Sequence, residues 1–268
     1  MILSNPRKAS TELLLEDSLV VDDELSMVNV TLELQCTVGG QYAVYVGENA
    51  RLTLINCTVK GRSRDLGAAF EVHGELEATD TTFYWIFGTT DQTNGQGGIE
   101  FYSSYGNFQS CTFRDMLTNA VMEFDSEIFF NDCVFENVDD ECVEMNGGRV
   151  ELVNCTLENS DFSLGCFNGA RLIVDSCTFI RCNNACWSAG GGNDLKITGS
   201  TFRDCEVAVR TKIGDDLITE GLVFENCGIE IDTNVLNFSN YLCGGLLIFS
   251  VLVPVLVYFV KKKRGKDY

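Results

Sequence analysis

A short phrase of the form Cys-Thr-Phe returns along this chain at a nearly constant interval, and that interval restricts the fold more than any other feature. It reads Cys36-Thr37-Val38, Cys57-Thr58-Val59, Thr81-Thr82-Phe83, Cys111-Thr112-Phe113, Cys133-Val134-Phe135, Cys155-Thr156-Leu157, Cys177-Thr178-Phe179, Ser200-Thr201-Phe202 and Leu222-Val223-Phe224. From residue 111 onward the starts are 22, 22, 22, 23 and 22 residues apart; the earlier steps of 21, 24 and 30 leave room for loop insertions. Two more apolar runs recur inside each repeat. One reads Ala43-Val44-Tyr45-Val46, Gly98-Ile99-Glu100-Phe101 and Cys142-Val143-Glu144-Met145; the other reads Arg51-Leu52-Thr53-Leu54, Arg149-Val150-Glu151-Leu152 and Arg171-Leu172-Ile173-Val174. Both alternate apolar and polar residues, the period of a strand with one face buried.

Three short strands joined by tight turns fill 22 residues. The interval leaves no room for the helices of a leucine-rich repeat, and a propeller blade needs about twice the period. One such coil cannot bury its own inward side chains, whereas a stack of coils can. The expectation is an all-β stack of about nine coils, roughly 40 Å long at about 4.8 Å per coil. Phe83, Phe113, Phe135, Phe179, Phe202 and Phe224 form one inward column. The coils span residues 14–235, after a flexible segment 1–13, with Ala9 to Leu34 supplying the first coil and its cap.

These coils resemble those of the right-handed parallel β-helix, the pectin-lyase-like superfamily. The phrases Thr112-Phe113-Arg114-Asp115, Val134-Phe135-Glu136-Asn137 and Thr201-Phe202-Arg203-Asp204 are similar to the FxxN-type repeats of polymorphic membrane proteins and related surface adhesins. The resemblance implies a coil architecture and leaves function to the individual residues.

Residues Tyr241 to Val260 carry no charge over 20 positions and are followed at once by Lys261-Lys262-Lys263-Arg264. At about 1.5 Å per residue the run spans roughly 30 Å, the thickness of a bilayer core. It reads as one transmembrane helix, joined to the coils by a connector at 236–240 and followed by a basic tail at 261–268. The positive-inside rule puts that tail in the cytosol and the coils in an extracellular or lumenal space. The first residues, MILSNPRKASTELLLEDSL, hold no apolar stretch of signal-peptide length. Tail anchoring, a different true N-terminus and a route without a cleaved signal all remain open.

The net charge is −20, and the last eight residues contribute +4 (five bases, one acid), so everything before them sums to −24. Such a surface repels nucleic acid, leaving a membrane plus a carbohydrate or protein ligand as partners. Four sequons, at Asn29, Asn56, Asn154 and Asn237, fit a glycoprotein. Thirteen cysteines occur without a CxxC pair, which argues against a zinc ribbon. Cys36, Cys57, Cys111, Cys133, Cys155 and Cys177 share one repeat position, and Cys182, Cys205 and Cys227 share another. Stacked Cα atoms about 4.8 Å apart suit a disulfide, but parallel Cβ atoms stay wider than the usual ~3.8 Å. A ladder of buried thiols packs without strain, with bridges in the second column left open.

Many relatives of the resembled fold cleave acidic polysaccharides. Asp139-Asp140-Glu141-Cys142 is similar to the Asp-Asp-Cys segment of polygalacturonase-type hydrolases, and Arg210-Thr211-Lys212 to their later Arg-x-Lys. The sole histidine, His73, precedes the acids, the reverse of that order, and no Asn-Thr-Asp stands upstream. Asp139, Asp140 and Glu141 are weak calcium candidates, as are Asp22, Asp23, Glu24, Asp215 and Asp216, without the spacing of a calcium loop. No cofactor is expected. Tyr84, Trp85, Tyr102 and Tyr105 flank the polar insertion 88–98 and make the expected contact surface. The favoured function is a non-catalytic, membrane-anchored surface protein for adhesion, ligand display or assembly. A polysaccharide hydrolase or lyase built on Asp139, Asp140, Arg210 and Lys212 is the first alternative, and a viral or envelope structural protein the second.

Overall fold

A computed structural model describes residues 2–4, 11–87, 97–189 and 191–235. The apolar run 241–260, the tail, Asn237 and the insertion 88–96 lie outside the described residues. Among the described residues no helix is long and apolar enough to cross a membrane. The unit Met1–Thr233 is a parallel β-helix whose every turn contributes a strand to each of three walls. The first wall holds Val30–Leu34, Thr58–Gly61, Thr82–Tyr84, Thr112–Met116 and their successors. The second holds Ala43–Val46, Ala69–Val72, Ile99–Tyr102 and Val121–Phe124. The third runs from Ile2–Ser4 through Glu24–Val28 and Arg51–Ile55 to Asp216–Glu220, ten strands among the described residues. Val134–Asn146 and Thr156–Phe167 continue unbroken over the corner between the first two walls, with a bulge between Val138 and Glu141.

Corners are set by single residues in the left-handed region. Between the third and first walls stand Asn29, Asn56, Asp80, Ser110, Asp132, Asn154 and Ser176, with φ from 49° to 56°, then Gly199 and Gly221. Asn, Asp and Gly tolerate this conformation because a short polar side chain, or none, relieves the Cβ clash. A second corner, between the first and second walls, repeats the device with Asp115, Asn137, Asn159, Asp204 and Asn226. There the side chains form a ladder: Asn137 donates to Asp115 Oδ1 (3.2 Å), and Asn159 donates to Asn137 Oδ1 (3.1 Å).

The core is one continuous cluster filling the bore. Phe83, Phe113 and Phe135 stack at centroid separations of 5.1 and 4.6 Å, and Phe179, Phe202 and Phe224 at 4.8 and 5.5 Å. The expected Phe column is therefore present, with Leu157 occupying the turn between its two halves.

Two readings need correction. The phrase Cys36-Thr37-Val38 is outside the repeat: Thr31 pairs with Thr58 and Leu32 with Val59, so Val30-Thr31-Leu32 holds that station. Burial agrees with this register: Leu32, which pairs with Val59, is 1% exposed, and Val38 is 61% exposed. Val and Cys are similar in size, so Val30 fills the station that Cys holds in later turns. The stack also begins before residue 14, with strands Ile2–Ser4 and Thr11–Leu15, and its described residues make ten turns, against the expected nine or so. Cys111, Cys133, Cys155 and Cys177 do follow one another. Val134 N donates to Cys111 O (2.9 Å), Thr156 N to Cys133 O (2.9 Å) and Thr178 N to Cys155 O (2.8 Å).

Candidate functional site

The acidic phrase Asp139-Asp140-Glu141 sits on the bulge, where the chain turns from the first wall to the second. The bulge re-aims successive side chains, which is how a strand brings neighbouring residues out of strict alternation. Asp139 turns outward and pairs with Arg64 (2.6 Å), which belongs to the loop between Thr58–Gly61 and Ala69–Val72. Glu141 turns under the surface and is 6% exposed. Its backbone N–H donates to Asn119 Oδ1 (3.3 Å), and the Asn119 amide donates to Glu144. Burial, and then the Asp140 carboxyl beside it, push Glu141 up to about 9; burial also raises Glu144. Glu141 is thus neutral at pH 7, while Asp139 is partnered by a guanidinium.

The outward column of the second wall runs Tyr45, Glu71, Glu100, Met122, Glu144, Gly165, Trp187 and Arg210. Arg210 therefore lies three turns beyond Glu144, about 14 Å along the axis. It is already engaged, donating to Asn184 Oδ1 (3.0 Å) and pairing with Asp232 (3.4 Å). The backbone N–H of Lys212 donates to Asp215 Oδ2 (2.9 Å). Asp139 and Asp140 are together; Arg210 and Lys212 are together; the two pairs do not meet. Among the described residues no group of three or more His, Cys, Asp or Glu side chains is placed to hold a metal ion. Asp215, one of the calcium candidates, caps a turn by accepting from Ser188 Oγ (2.6 Å), Asn193 N (3.1 Å) and Lys212 N.

The four aromatic residues fall on three walls. Tyr84 is on the first, between the cations of Lys60 (5.7 Å) and Arg114 (5.2 Å), with Trp85 edge-on beside it at 4.8 Å. Tyr102 is on the second, stacked between His73 (5.0 Å) and Phe124 (4.9 Å), and its hydroxyl donates to Glu100 Oε2 (2.6 Å). Tyr105 is on the third, 5.8 Å from Phe129. Both faces of Tyr84 and Tyr102 are covered by neighbours, so these rings offer edges to an incoming molecule. Sequence reading missed a cluster on the second wall: Tyr45, Glu71, His73, Tyr102 and Glu144 face outward there, with Glu100 buried beneath Tyr102. Aligning the middle strands by register would have found it, because these residues recur at one or two fixed stations.

Three sequons coincide with the first corner. Asn29, Asn56 and Asn154 supply the left-handed residue, Val30, Cys57 and Cys155 turn inward, and Thr31, Thr58 and Thr156 turn outward. Other turns fill the same three stations with Asp80-Thr81-Thr82 and Ser110-Cys111-Thr112. The triplet is thus what this corner requires, whether or not a glycan is attached. Asn56 additionally donates its amide to Asn29 Oδ1 (2.6 Å).

Comparison with known proteins agrees with this architecture. No curated protein matches the chain. Among solved structures it is similar to the surface protein and adhesin PfbA of Streptococcus pneumoniae, at 9% identity and a TM-score of 0.45, covering 87% of this chain and 90% of that one. The sequence profile described as the right handed beta helix region matches residues 97–248, more than half of the 268. With ten stacked turns and three parallel walls beside that match, the chain belongs to the right-handed β-helix family.

Proposed function

We propose that this chain is a non-catalytic β-helix held at a membrane by residues 241–260, which displays its outer walls to a ligand at a cell or envelope surface. The reading rests on one observation above all. The residues that would form a hydrolytic centre are three turns apart; Arg64 already pairs with Asp139, and Asn184 and Asp232 with Arg210. A general acid and its partners must lie within hydrogen-bond reach of one bound substrate, directly or through one water. The domain's net charge of −24 favours a ligand that is neutral or basic: a neutral polysaccharide or a basic protein face. The positive-inside rule applied to the basic tail 261–268 supports walls that face outside the cell or a lumen.

Full-length protein in detergent, incubated with pectate, alginate and neutral glucans, is expected to release no new reducing ends or unsaturated products. Turnover that Asp140→Asn abolishes would overturn the proposal. It would move the assignment to the second reading, a polysaccharide hydrolase with Glu141 as proton donor beside Asp140. The raised carboxyl of buried Glu141 next to Asp140 is the observation that favours that reading.

A further inference from the structure

Among the described residues the last turn of the helix is built like the others but open on one side. Phe224 stacks on Phe202, and Leu217 pairs with Leu195. Ile229 donates its backbone N–H to Glu206 O (2.8 Å), in register with Val207. In the preceding turn the equivalent side chains are fully buried, Val209 at 0% exposed. In the last turn Ile229 is 43% and Ile231 41% exposed, and Leu217, Leu222 and Phe224 are only half-buried. Val223 and Ile218 add exposed apolar surface beside them. An apolar end of this extent on a solenoid requires a cover.

Five residues, 236–240, separate the last strand, Ile229–Val235, from the apolar run that starts at Tyr241. Fully extended they reach about 18 Å. With that run in a bilayer, as proposed above, the open end is kept within this distance of the lipid interface. Residues 213–233 carry six acids and no base, a rim that anionic headgroups repel and zwitterionic choline headgroups accept.

We propose that the open end of the last turn, through Phe224, Ile229 and Ile231, docks on the interface of a zwitterionic bilayer. The membrane then serves as the cap of the β-helix, and the rod stands on it. This inference rests on the anchor reading, and its test separates the two.

The full chain, with Trp85→Phe and Trp187→Phe, is reconstituted into phosphatidylcholine vesicles with bromine on the acyl chains near the headgroup. Tryptophan is placed at the open end (Ile231→Trp, and separately Val223→Trp) or at the far end (Val20→Trp). The first two are expected to be quenched at least twofold and the third left unchanged. Replacing about a third of the lipid by phosphatidylserine should weaken the quenching. Chain that floats with the vesicles while both open-end reporters stay unquenched overturns the docking and leaves the anchor standing. Unquenched reporters together with chain-to-chain cross-linking at that end identify a second copy as the cover, which also overturns it. Chain that fails to float overturns the anchor reading, and the docking with it.

Discussion

Asn154 holds its backbone at φ 55° on an exposed corner, a conformation that costs an ordinary L-residue about 1–2 kcal/mol. Asn154→Gly should leave stability within about 0.5 kcal/mol, whereas Asn154→Val should lose about 1–2 kcal/mol, read by denaturant unfolding. Both changes destroy the sequon, so a difference between them reports backbone geometry and not a glycan. Glu123 illustrates the opposite case, a residue whose position the repeat makes unexpected. It takes an inward station between Phe101 and Met145 and is fully buried. Its Oε2 accepts from Ser126 N (2.9 Å), and its Oε1 has no hydrogen-bond partner. Burial first, then the charge of Asp125, push its carboxyl from 4.5 up to about 8, against hydrogen bonds from the Ser126 and Asn146 backbone. The folded state therefore binds the proton more tightly than the unfolded chain. That stabilisation is complete below pH 4.5 and is lost as pH rises through 8. Glu123→Gln should remove this part of the pH dependence, on the order of a few kcal/mol. Urea midpoints of both proteins from pH 5 to pH 9 check it: equal slopes would refute a neutral buried Glu123.

At the scale of the strand, what matters is the station a residue occupies in its turn. Phe135 lies in mid-stack, 4.6 Å from Phe113, while Phe224 lies in the last turn with a neighbour on one side. Phe135→Ala should cost about 3–5 kcal/mol and Phe224→Ala distinctly less, because a cavity costs most where neighbours cannot collapse into it. The cysteine station is defined by size and burial. Cys57, Cys111, Cys133, Cys155 and Cys177 share it with Val30, Thr81 and Ser200. Cys133→Val should therefore change stability by less than about 1.5 kcal/mol. Burial raises the thiols of Cys57, Cys142 and Cys166, so they resist oxidation and alkylation while folded. Denatured without reductant, the full chain is expected to take up one alkyl group on each of its 13 cysteines by mass. Unlabelled pairs would place bridges in the Cys182, Cys205 and Cys227 column.

For the whole molecule, net charge works against the compact state. The domain and connector together carry −24, and self-repulsion on that scale exceeds what exposed pairs such as Arg149–Glu127 (2.9 Å) return. Raising sodium chloride from about 0.05 M to about 0.5 M shortens the screening length severalfold. The melting temperature should rise by several degrees. A fall on adding salt would mean that the surface pairs dominate. A solenoid also distributes its stability over nearest-neighbour contacts. A mid-stack substitution such as Phe135→Ala should consequently disturb amide exchange most in the turns on either side of it.

Strand period, turn length, the inward Phe column and the shared Cys stations were all legible from residue types and spacing, because a solenoid repeats one local solution and each turn meets only its neighbours. The register of the first turns was not. Val30 and Cys36 are both buried, and composition hides which of them lies beside Cys57; the pairing of Thr31 with Thr58 gives that station to Val30. The candidate site was still less legible. Asp139 and Arg64 are 75 residues apart in sequence yet meet, while Arg210 lies on the wall of the acids but three turns away. Tyr84, Tyr102 and Tyr105, close in sequence, diverge onto three walls because each corner redirects the chain. The period by itself determined that this chain stacks coils. Which side chains share a wall, and which stay buried beneath it, was decided by corner geometry and by register between turns.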